Sequence, residues 1–361
     1  MATNPAAISR LLIRATNWLG DAVMSLPAIR AVRGFLPHAH IAIVARPWVA
    51  DLYARESVID EVIPYAARRG WRDKLEFGRG LSARAFDAAL LLQNAFDAAL
   101  MAWLARIPVR VGYNRDGRGW LLSEAVAAPE PGDIPRHERY YYLELLRRAG
   151  WLERFPAPAP IRFEGIEDSR GAGEEQLRKL GITTPPVGVS PGAAYGGAKQ
   201  WLPERFAEAA ARLARQGGCA VLVFGSQAEG ALADMVAADI RKAGIDARNL
   251  AGETTLRQFL DLAAACRLFL TNDSGAMHVA SALAVPTVAI FGATDDTTTG
   301  PRGPVARVVR EHAECAPCLL RECPIDHRCM TRVSSDRVAE EAMRLLVERD
   351  RSLTTVPEPR P

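Results

Sequence analysis

The stretch Arg267-Leu-Phe-Leu-Thr-Asn-Asp-Ser-Gly-Ala-Met-His-Val-Ala-Ser-Ala-Leu283 decides the fold of this chain. Its apolar start predicts a buried strand, its small polar centre a turn, and its apolar end a helix. Backbone N–H groups at such a helix start lack partners within the helix and, together with the helix dipole, favour an anion such as phosphate. A carboxylate (Asp273) and an imidazole (His278) flank the turn. We therefore expect Ser274 and Gly275 to hold a phosphorylated ligand, with a capping serine and a packed histidine as the structural alternative.

Strand and helix patterns alternate along all 361 residues, which is typical of parallel sheets with helices on both faces. The length suits two domains. Three prolines in Phe155-Pro-Ala-Pro-Ala-Pro160 favour a stiff, extended connector. We place an N-terminal domain at 1–155, a linker at 156–160, a C-terminal domain at 161–335, a C-terminal helix that could pack on the N-terminal domain at 336–350, and a disordered tail at 351–361.

The composition is that of a folded globular protein, with 49% hydrophobic and 24% charged residues. A net charge of +3 is too small to indicate nucleic-acid binding, so we expect no nucleic-acid partner. The charge is uneven, because residues 1–165 contain 22 Lys and Arg against 17 Asp and Glu. The excess centres on the segment 68–74, which is either a solvated loop or a landing site for an anionic acceptor or membrane surface.

No segment is predicted to span a membrane. The most apolar stretch, 88–109, is interrupted by Asp97 and Arg106. Charges within the segment 8–14 also argue against a signal peptide. We therefore expect a cytoplasmic protein.

Six cysteines occur, of which Cys219 and Cys266 lie in apolar runs and are expected to be buried thiols. The other four cluster near His312 and His327, and they are Cys315, Cys318, Cys323 and Cys329. A reducing cytoplasm argues against structural disulfides. The cluster is therefore either a locally packed thiol loop or a tetrahedral zinc site, since C-x2-C is a common pair of zinc ligands.

Two more loops follow predicted strands, where open α/β sheets bind ligands. In the first, Asp21 either caps a helix that begins at Ala22 or presents a carboxylate to a ligand. The second, 190–201, is rich in small residues and ends near Lys199, which is either a solvated surface lysine or a cation for a leaving diphosphate. The loop lacks the Walker A spacing, and no G-x-G-x-x-G motif follows a strand, so group transfer is favoured over hydride chemistry.

Several of these segments resemble one family across residues 10 to 348. The matching segments are Asn17-Trp-Leu-Gly-Asp-Ala-Val-Met-Ser-Leu-Pro-Ala28, Ser190-Pro-Gly-Ala193, Ala198-Lys-Gln-Trp-Leu-Pro203, Thr271-Asn-Asp-Ser-Gly-Ala-Met-His-Val-Ala280, Phe291-Gly292 and Cys315-Ala-Pro-Cys-Leu-Leu-Arg-Glu-Cys-Pro324. Together they resemble the ADP-heptose:lipopolysaccharide heptosyltransferases, glycosyltransferase family nine. The first and the last segments most resemble the members that add the second core heptose.

The resemblance implies a GT-B fold, with two Rossmann-like, doubly wound parallel-sheet domains facing across a cleft. The C-terminal half would bind ADP-L-glycero-β-D-manno-heptose, and the N-terminal half would bind the acceptor. That acceptor would be the first heptose on Kdo2–lipid A, at the cytoplasmic face of the inner membrane. Transfer would invert the anomeric centre without a metal or another cofactor, and the protein would contact the membrane only peripherally.

The resemblance also implies roles for single residues. Asp21 matches the general base that takes the proton of the acceptor hydroxyl. Lys199 matches the basic residue that stabilises the departing diphosphate. The other matched donor residues, near the phosphates or the donor sugar, are Ser190, Asp273, Ser274, Gly275 and His278.

This chain departs from some relatives at the strand end near Gly225, where they carry an acidic residue suited to a ribose. Ser226 and Gln227 occupy that place, and Gln227 can still hydrogen-bond to a ribose. Four basic residues become candidate contacts for the phosphates and Kdo carboxylates of the acceptor, and they are Arg68, Arg69, Arg72 and Lys74.

Three alternative functions stay open at this point. The first is a sugar-nucleotide epimerase of the same architecture, which would need no acceptor. The second is a family-nine heptosyltransferase with a different acceptor. The third is a protein that binds a nucleotide sugar or a glycolipid without catalysis.

Overall fold

The structure is a computed structural model, and it describes residues 7–66 and 70–354. The chain divides into two compact units, Met1–Ala159 and Pro160–Pro361. The division falls inside the segment 156–160 that the prolines mark as a connector.

The first unit contains a six-stranded sheet in which all neighbouring strands are parallel. Its strands are β1 (Arg10–Arg14), β2 (His40–Ala45), β3 (Glu61–Pro64), β4 (Ala88–Leu91), β5 (Val109–Tyr113) and β6 (Glu124–Val126). Its helices are α1 (Leu19–Phe35), α2 (Pro47–Tyr53), α3 (Trp71–Ser82), α4 (Phe96–Leu104) and α5 (Arg139–Arg148). The central strands are apolar and buried along nearly their whole length, as expected where helices cover both faces of a sheet.

The second unit repeats this plan. Its strands are β7 (Val187–Ser190), β8 (Val221–Val223), β9 (Ala247–Asn249), β10 (Leu268–Asn272), β11 (Thr287–Ile290) and β12 (Ala306–Val309). Its helices are α6 (Ile166–Lys179), α7 (Pro203–Gly217), α8 (Gly230–Lys242), α9 (Leu256–Ala264), α10 (Gly275–Ala282), α11 (Asp296–Thr299), α12 (Arg328–Thr331) and α13 (Ser335–Thr354). All neighbouring strands are again parallel.

The two sheets have the same topology. The order is β3-β2-β1-β4-β5-β6 in the first and β12-β11-β10-β7-β8-β9 in the second, which is the doubly wound Rossmann order in both cases. The strand order reverses between β1 and β4, and again between β7 and β10. Such sheets bind ligands beyond the carboxyl ends of the strands at that reversal. Asp21, Lys199 and Asp273 lie on the segments that directly follow β1, β7 and β10, so the topology places each beside a switch point.

Helix α1 begins earlier than the sequence suggests. It starts at Leu19, so Asp21 lies inside its first turn, and the interpretation of Asp21 as an N-cap for a helix from Ala22 is wrong. Helix α3 begins at Trp71, so Arg72 and Lys74 lie on a helix rather than in a loop.

The C-terminal helix belongs to the second unit. Helix α13 packs on α7, β11 and β12 of that unit. Residues 351–354, which the sequence assigned to a disordered tail, are its last turn, and 355–361 lie outside the described residues. Among residues 7–66 and 70–354, no helix is both long enough and apolar enough to cross a bilayer.

Candidate active site

The turn between β10 and α10 has the geometry expected of an anion site. Ser274 is the N-cap of α10 in extended conformation, and its Oγ lies 3.1 Å from Thr271 Oγ1. The helix begins at Gly275. The backbone N–H groups of Gly275 and of the next two residues have no carbonyl acceptor within the helix. Ser274 and Gly275 are partly exposed, so a phosphate can approach these amides and the positive end of the helix dipole.

Lys199 and Asp273 form an ion pair beside this turn. Lys199 Nζ lies 2.6 Å from Asp273 Oδ2, and the two side chains are only 12% and 5% exposed. Thr294, after β11, donates its hydroxyl to the same carboxylate oxygen at 2.6 Å. The Tyr195 ring lies 4.8 Å from the ammonium. Lys199 is therefore held in place and is not the solvated surface lysine that the sequence left open.

Asn272 connects this turn to the loop that carries Lys199. Its amide Nδ2 donates to the carbonyl of Pro191 at 2.7 Å, and its Oδ1 accepts the backbone N–H of Trp201 at 2.9 Å. Trp201 is buried and donates its indole N–H to the carbonyl of Val333. Both ends of the glycine-rich loop 190–201 are therefore fixed, which limits the motion of Lys199.

The end of β8 places a carboxylate near the same loop. Gln227 is exposed in a short 3₁₀ turn, whereas Glu229 accepts hydrogen bonds from the backbone N–H and the hydroxyl of Ser226. A Cβ added to Gly192 would collide with the Glu229 carboxylate, which shows how closely the two approach. Glu229 is thus an acidic side chain at the end of β8, two positions after Gln227. Ser190 is buried at the end of β7.

His278 lies on α10 and is almost completely buried. Burial lowers the pKa of its imidazole from 6.5 to about 4, the Asp273 carboxylate acts in the opposite direction, and the Lys199 ammonium lowers it further. The ring is therefore neutral at physiological pH. It can orient a donor group through one N–H, but it cannot neutralise a phosphate.

This buried histidine predicts a pH dependence of stability. The unfolded chain takes up a proton near pH 6.5 and the folded chain only near pH 4, so the stability present above pH 6.5 is lost as the pH falls between those values. Between pH 7 and pH 5 we expect the wild type to lose about 1–2 kcal/mol more free energy of unfolding than His278→Asn. Urea unfolding of both proteins at the two pH values measures this. An equal loss in both would show that His278 is not buried as a neutral ring.

In the first unit, Asp21 projects from the first turn of α1 and is partly exposed. Helix α5 packs on α1, and its N-cap residue Glu138 has a raised pKa, mainly through burial and then through the Asp21 charge. The Asp21 charge also raises the pKa of the buried Tyr142, after burial itself. The Asp21 carboxylate therefore lies within electrostatic reach of Glu138 and Tyr142 on α5.

The loop before α1 is fixed by a buried cation. Arg14 donates from Nη2 to Asn17 Oδ1 at 3.0 Å and from Nη1 to the carbonyl of Ala15 at 2.6 Å. Burial and the neighbouring Arg46 charge lower the Arg14 pKa to about 10. Trp48 donates its indole N–H to the Asn17 carbonyl. These contacts hold the backbone that positions Asp21.

The four basic residues predicted to bind the acceptor are only partly described. Arg68 and Arg69 lie outside the described residues. Arg72 is exposed on the first turn of α3, and Lys74 forms an ion pair with Asp97 of α4 at 3.0 Å. Of these two residues, Arg72 is the more exposed, and the ammonium of Lys74 is shared with a carboxylate.

The clustered cysteines line a small cavity of about 60 Å³ together with His327. Cys329 is buried, Cys318 and Cys323 are partly exposed, and Cys315 is exposed. In the part of the chain that the structure describes, no group of three or more His, Cys, Asp or Glu side chains is arranged to hold a metal ion. The zinc hypothesis finds no support among these residues. Cys219 and Cys266 are buried, as expected.

The second unit therefore places helix amides and an ammonium at one end of its sheet, a combination suited to a phosphate, and the first unit presents the partly exposed Asp21 carboxylate. The sequence did not predict three residues of this region, which are Asn272, Thr294 and Glu229. Asn272 lies within the motif itself. Thr294 could have been found as a hydroxyl four residues after β11, and Glu229 as a carboxylate six residues after β8.

Comparisons with known proteins agree with this geometry. The family model "Glycosyltransferase family 9 (heptosyltransferase)" matches residues 74–328. The chain is 33% identical to lipopolysaccharide heptosyltransferase 2 of Escherichia coli K12 and 32% identical to that of Salmonella typhimurium, in each case over 83% of this chain and 88% of the relative. The solved structure of E. coli ADP-heptose LPS heptosyltransferase II superimposes with a TM-score of 0.80 at 30% identity, covering 94% of this chain and 99% of that one. The two Rossmann-like units thus form a GT-B fold, and the chain belongs to glycosyltransferase family 9, the heptosyltransferases.

Proposed function

We propose that this enzyme transfers L-glycero-D-manno-heptose from ADP-heptose to the first heptose of the lipopolysaccharide inner core. The observation that carries the proposal is the Lys199–Asp273 pair at the N-terminus of α10. It combines a held ammonium with free helix amides, which suits the diphosphate of a nucleotide sugar. The relatives named lipopolysaccharide heptosyltransferase 2 support heptose transfer to a lipopolysaccharide core, and the solved structure of E. coli ADP-heptose LPS heptosyltransferase II supports the donor. They give no such support to an epimerase.

The transfer itself is a single displacement. The acceptor hydroxyl oxygen attacks the anomeric carbon, and the bond from that carbon to the diphosphate oxygen breaks. Asp21 takes the hydroxyl proton as general base, and ADP leaves with the electron pair. Attack from the face opposite the leaving group inverts the anomeric centre. Lys199 and the amides of Ser274 and Gly275 stabilise the charge that develops on the departing diphosphate.

We propose that no metal takes part. Lys199 and the α10 amides supply the positive charge that a divalent cation would otherwise bring to the diphosphate. His278 contributes an N–H rather than a charge. We further propose that Glu229, helped by Gln227, accepts hydrogen bonds from the ribose hydroxyls of ADP, since its carboxylate lies at the end of β8 beside the loop 190–201.

We propose that the acceptor is reached at the cytoplasmic face of the inner membrane, with peripheral contact only. The basic residues of the segment 68–74 would attract acceptor phosphates and Kdo carboxylates. The position of Arg72, exposed on the first turn of α3, is compatible with this role.

Replacing Arg68, Arg69 and Arg72 together by Ala should raise the acceptor KM about tenfold and leave the donor KM unchanged, because each charged contact with an anion contributes only modestly at an exposed site. Initial rates at varied acceptor and donor concentrations measure both constants. A matched triple variant of the exposed Arg178, Lys179 and Arg257 in the second unit removes the same charge and should change neither. Equal effects of the basic-segment variant on both KM values would contradict an acceptor role.

The function is tested by incubating the protein with ADP-heptose and truncated lipopolysaccharide acceptors that carry one heptose or none. We expect ADP release and a heptose mass increment only with the acceptor that carries one. Transfer to the heptose-free acceptor would assign the enzyme to another family-nine activity. Conversion of the donor without an acceptor would favour the epimerase. Binding of ADP-heptose without any turnover would leave only a binding protein.

A further inference from the structure

The cysteine-rich segment, residues 315–329, contacts the backbone of the turn that carries Lys199. The carbonyl of Arg321 accepts the N–H of Ala198 at 2.8 Å, and His327 Nε2 donates to the carbonyl of Ala198 at 3.0 Å. Both polar backbone groups of the residue before Lys199 are therefore bound by this segment. These two hydrogen bonds constrain the backbone at Ala198 and therefore the direction in which the Lys199 side chain leaves it.

Further contacts flank this pair. The Glu322 carboxylate accepts the N–H of Gly197 at 3.1 Å, and the Tyr195 hydroxyl donates to the carbonyl of Leu319 at 3.0 Å. The Tyr195 ring lies close to two cations, with Lys199 Nζ at 4.8 Å and the Arg321 guanidinium at 5.2 Å from its centroid. The segment thus follows the turn 195–199 along its whole length.

The same segment also contacts the loop after β11. The backbone N–H of Leu319 donates to the carbonyl of Ala293 at 2.8 Å, directly before Thr294. Cys329 Sγ packs against Gly292. The cavity that the four cysteines line is bounded by both Ala198 and Ala293. One element therefore supports the two loops whose side chains, Lys199 and Thr294, meet at the Asp273 carboxylate.

Gly196 shows how closely the cysteine-rich segment approaches the turn 195–199. A Cβ at this position would collide with the carbonyl oxygen of Arg321, and its φ of +157° is rarely adopted by other residues. At the next position, a Cβ on Gly197 would meet only the flexible Glu322 carboxylate. Substitutions of these two glycines can therefore be compared. Only a Cβ at Gly196 would collide with the backbone of the cysteine-rich segment.

We propose that the cysteine-rich segment is the positioning element of the donor site, and that His327 is a positioning residue that acts on the diphosphate through Ala198 and Lys199. The proposal rests on the proposed function for the identity of the ligand, a nucleoside diphosphate. In this proposal the segment orients Lys199 through hydrogen bonds to the backbone of Ala198, without a metal ion.

His327 is tested with two variants of similar size. His327 has a φ of +55°, so both variants carry the same backbone strain. His327→Gln keeps an N–H that can reach the Ala198 carbonyl, and His327→Leu does not. We expect His327→Leu to weaken ADP binding about three- to tenfold, as for the loss of one hydrogen bond, and His327→Gln to stay near the wild type. Calorimetric titration with ADP measures the Kd, and initial rates give kcat and the donor KM separately. His312→Ala, at an exposed position nearby, is the control.

If His327 only stabilised the fold, its effect on ADP binding would not depend on the Lys199 ammonium. In a Lys199→Met background, His327→Leu should therefore cost no further ADP affinity, because the group through which it acts is gone. An additional loss equal to that in the wild type would overturn the proposal, as would equal ADP affinities for the Gln and Leu variants of His327.

Hydrogen exchange tests the positioning role of the cysteine-rich segment without requiring heptose transfer. Backbone amides of residues 198–200 should exchange faster in His327→Leu and in Gly196→Ala than in the wild type or in Gly197→Ala. Unchanged exchange in both would overturn the proposal even if His327→Leu folds poorly, since Gly196→Ala perturbs a second contact of the same segment with this turn, at the Arg321 carbonyl. A wild type without transferase activity, but with this exchange pattern, would contradict only the proposed function.

Discussion

Asp21→Asn is expected to lower kcat for heptose transfer by roughly 10²- to 10⁴-fold while leaving the Kd for ADP within twofold of the wild type. The amide has the size of the carboxylate and cannot take the acceptor proton. The variant keeps the first turn of α1 and lowers the negative charge near Glu138 and Tyr142, so it should fold at least as well. Rates at saturating donor and acceptor, with a parallel ADP titration, separate chemistry from binding.

Asp168→Asn, an exposed acid on α6 of the second unit, is the matched control and should retain full activity. Two results would contradict the assignment of Asp21. One is near-normal turnover of Asp21→Asn. The other is a loss of ADP affinity large enough to explain the loss of rate, which would make Asp21 a donor contact rather than a base.

The fold was predictable because its strands are marked by local patterns. β1 and β10 are short apolar runs followed by small residues, and the alternation with helices indicates parallel sheets. The start of α1 was not predictable in the same way. Its N-cap is Trp18, whose indole cannot accept a backbone hydrogen bond as Ser or Asp do, and Gly20 lies in its first turn. Tertiary packing of α1 on α5 outweighs these unfavourable local signals.

The candidate site was predictable where one motif contains its residues. Asp273, Ser274 and His278 lie within six positions, and the helix start fixes their arrangement. The partners of Asp273 lie 74 positions before it, at Lys199, and 21 after it, at Thr294. Only the order of β7, β10 and β11 in the sheet brings these three strand ends together. Residue patterns within one loop carry no such information.

Lys199→Met is expected to lower kcat about 10²- to 10³-fold and to weaken ADP binding about tenfold, since a preorganised charge that faces a leaving group acts mainly in the transition state. The same change should destabilise the protein by roughly 3 kcal/mol, because the Asp273 carboxylate, only 5% exposed, loses its ammonium partner. Chemical denaturation and transfer kinetics measure the two effects separately.

The double variant Lys199→Met with Asp273→Asn distinguishes the structural from the chemical role of the lysine. The amide introduced by Asp273→Asn bears no charge, and its oxygen can still accept the Thr294 hydroxyl, so most of the lost stability should return. The rate should not return, because the positive charge that faces the departing diphosphate is still missing. If the double variant recovered both stability and turnover, the pair would serve folding alone, and the helix amides of α10 would have to stabilise the leaving group without Lys199.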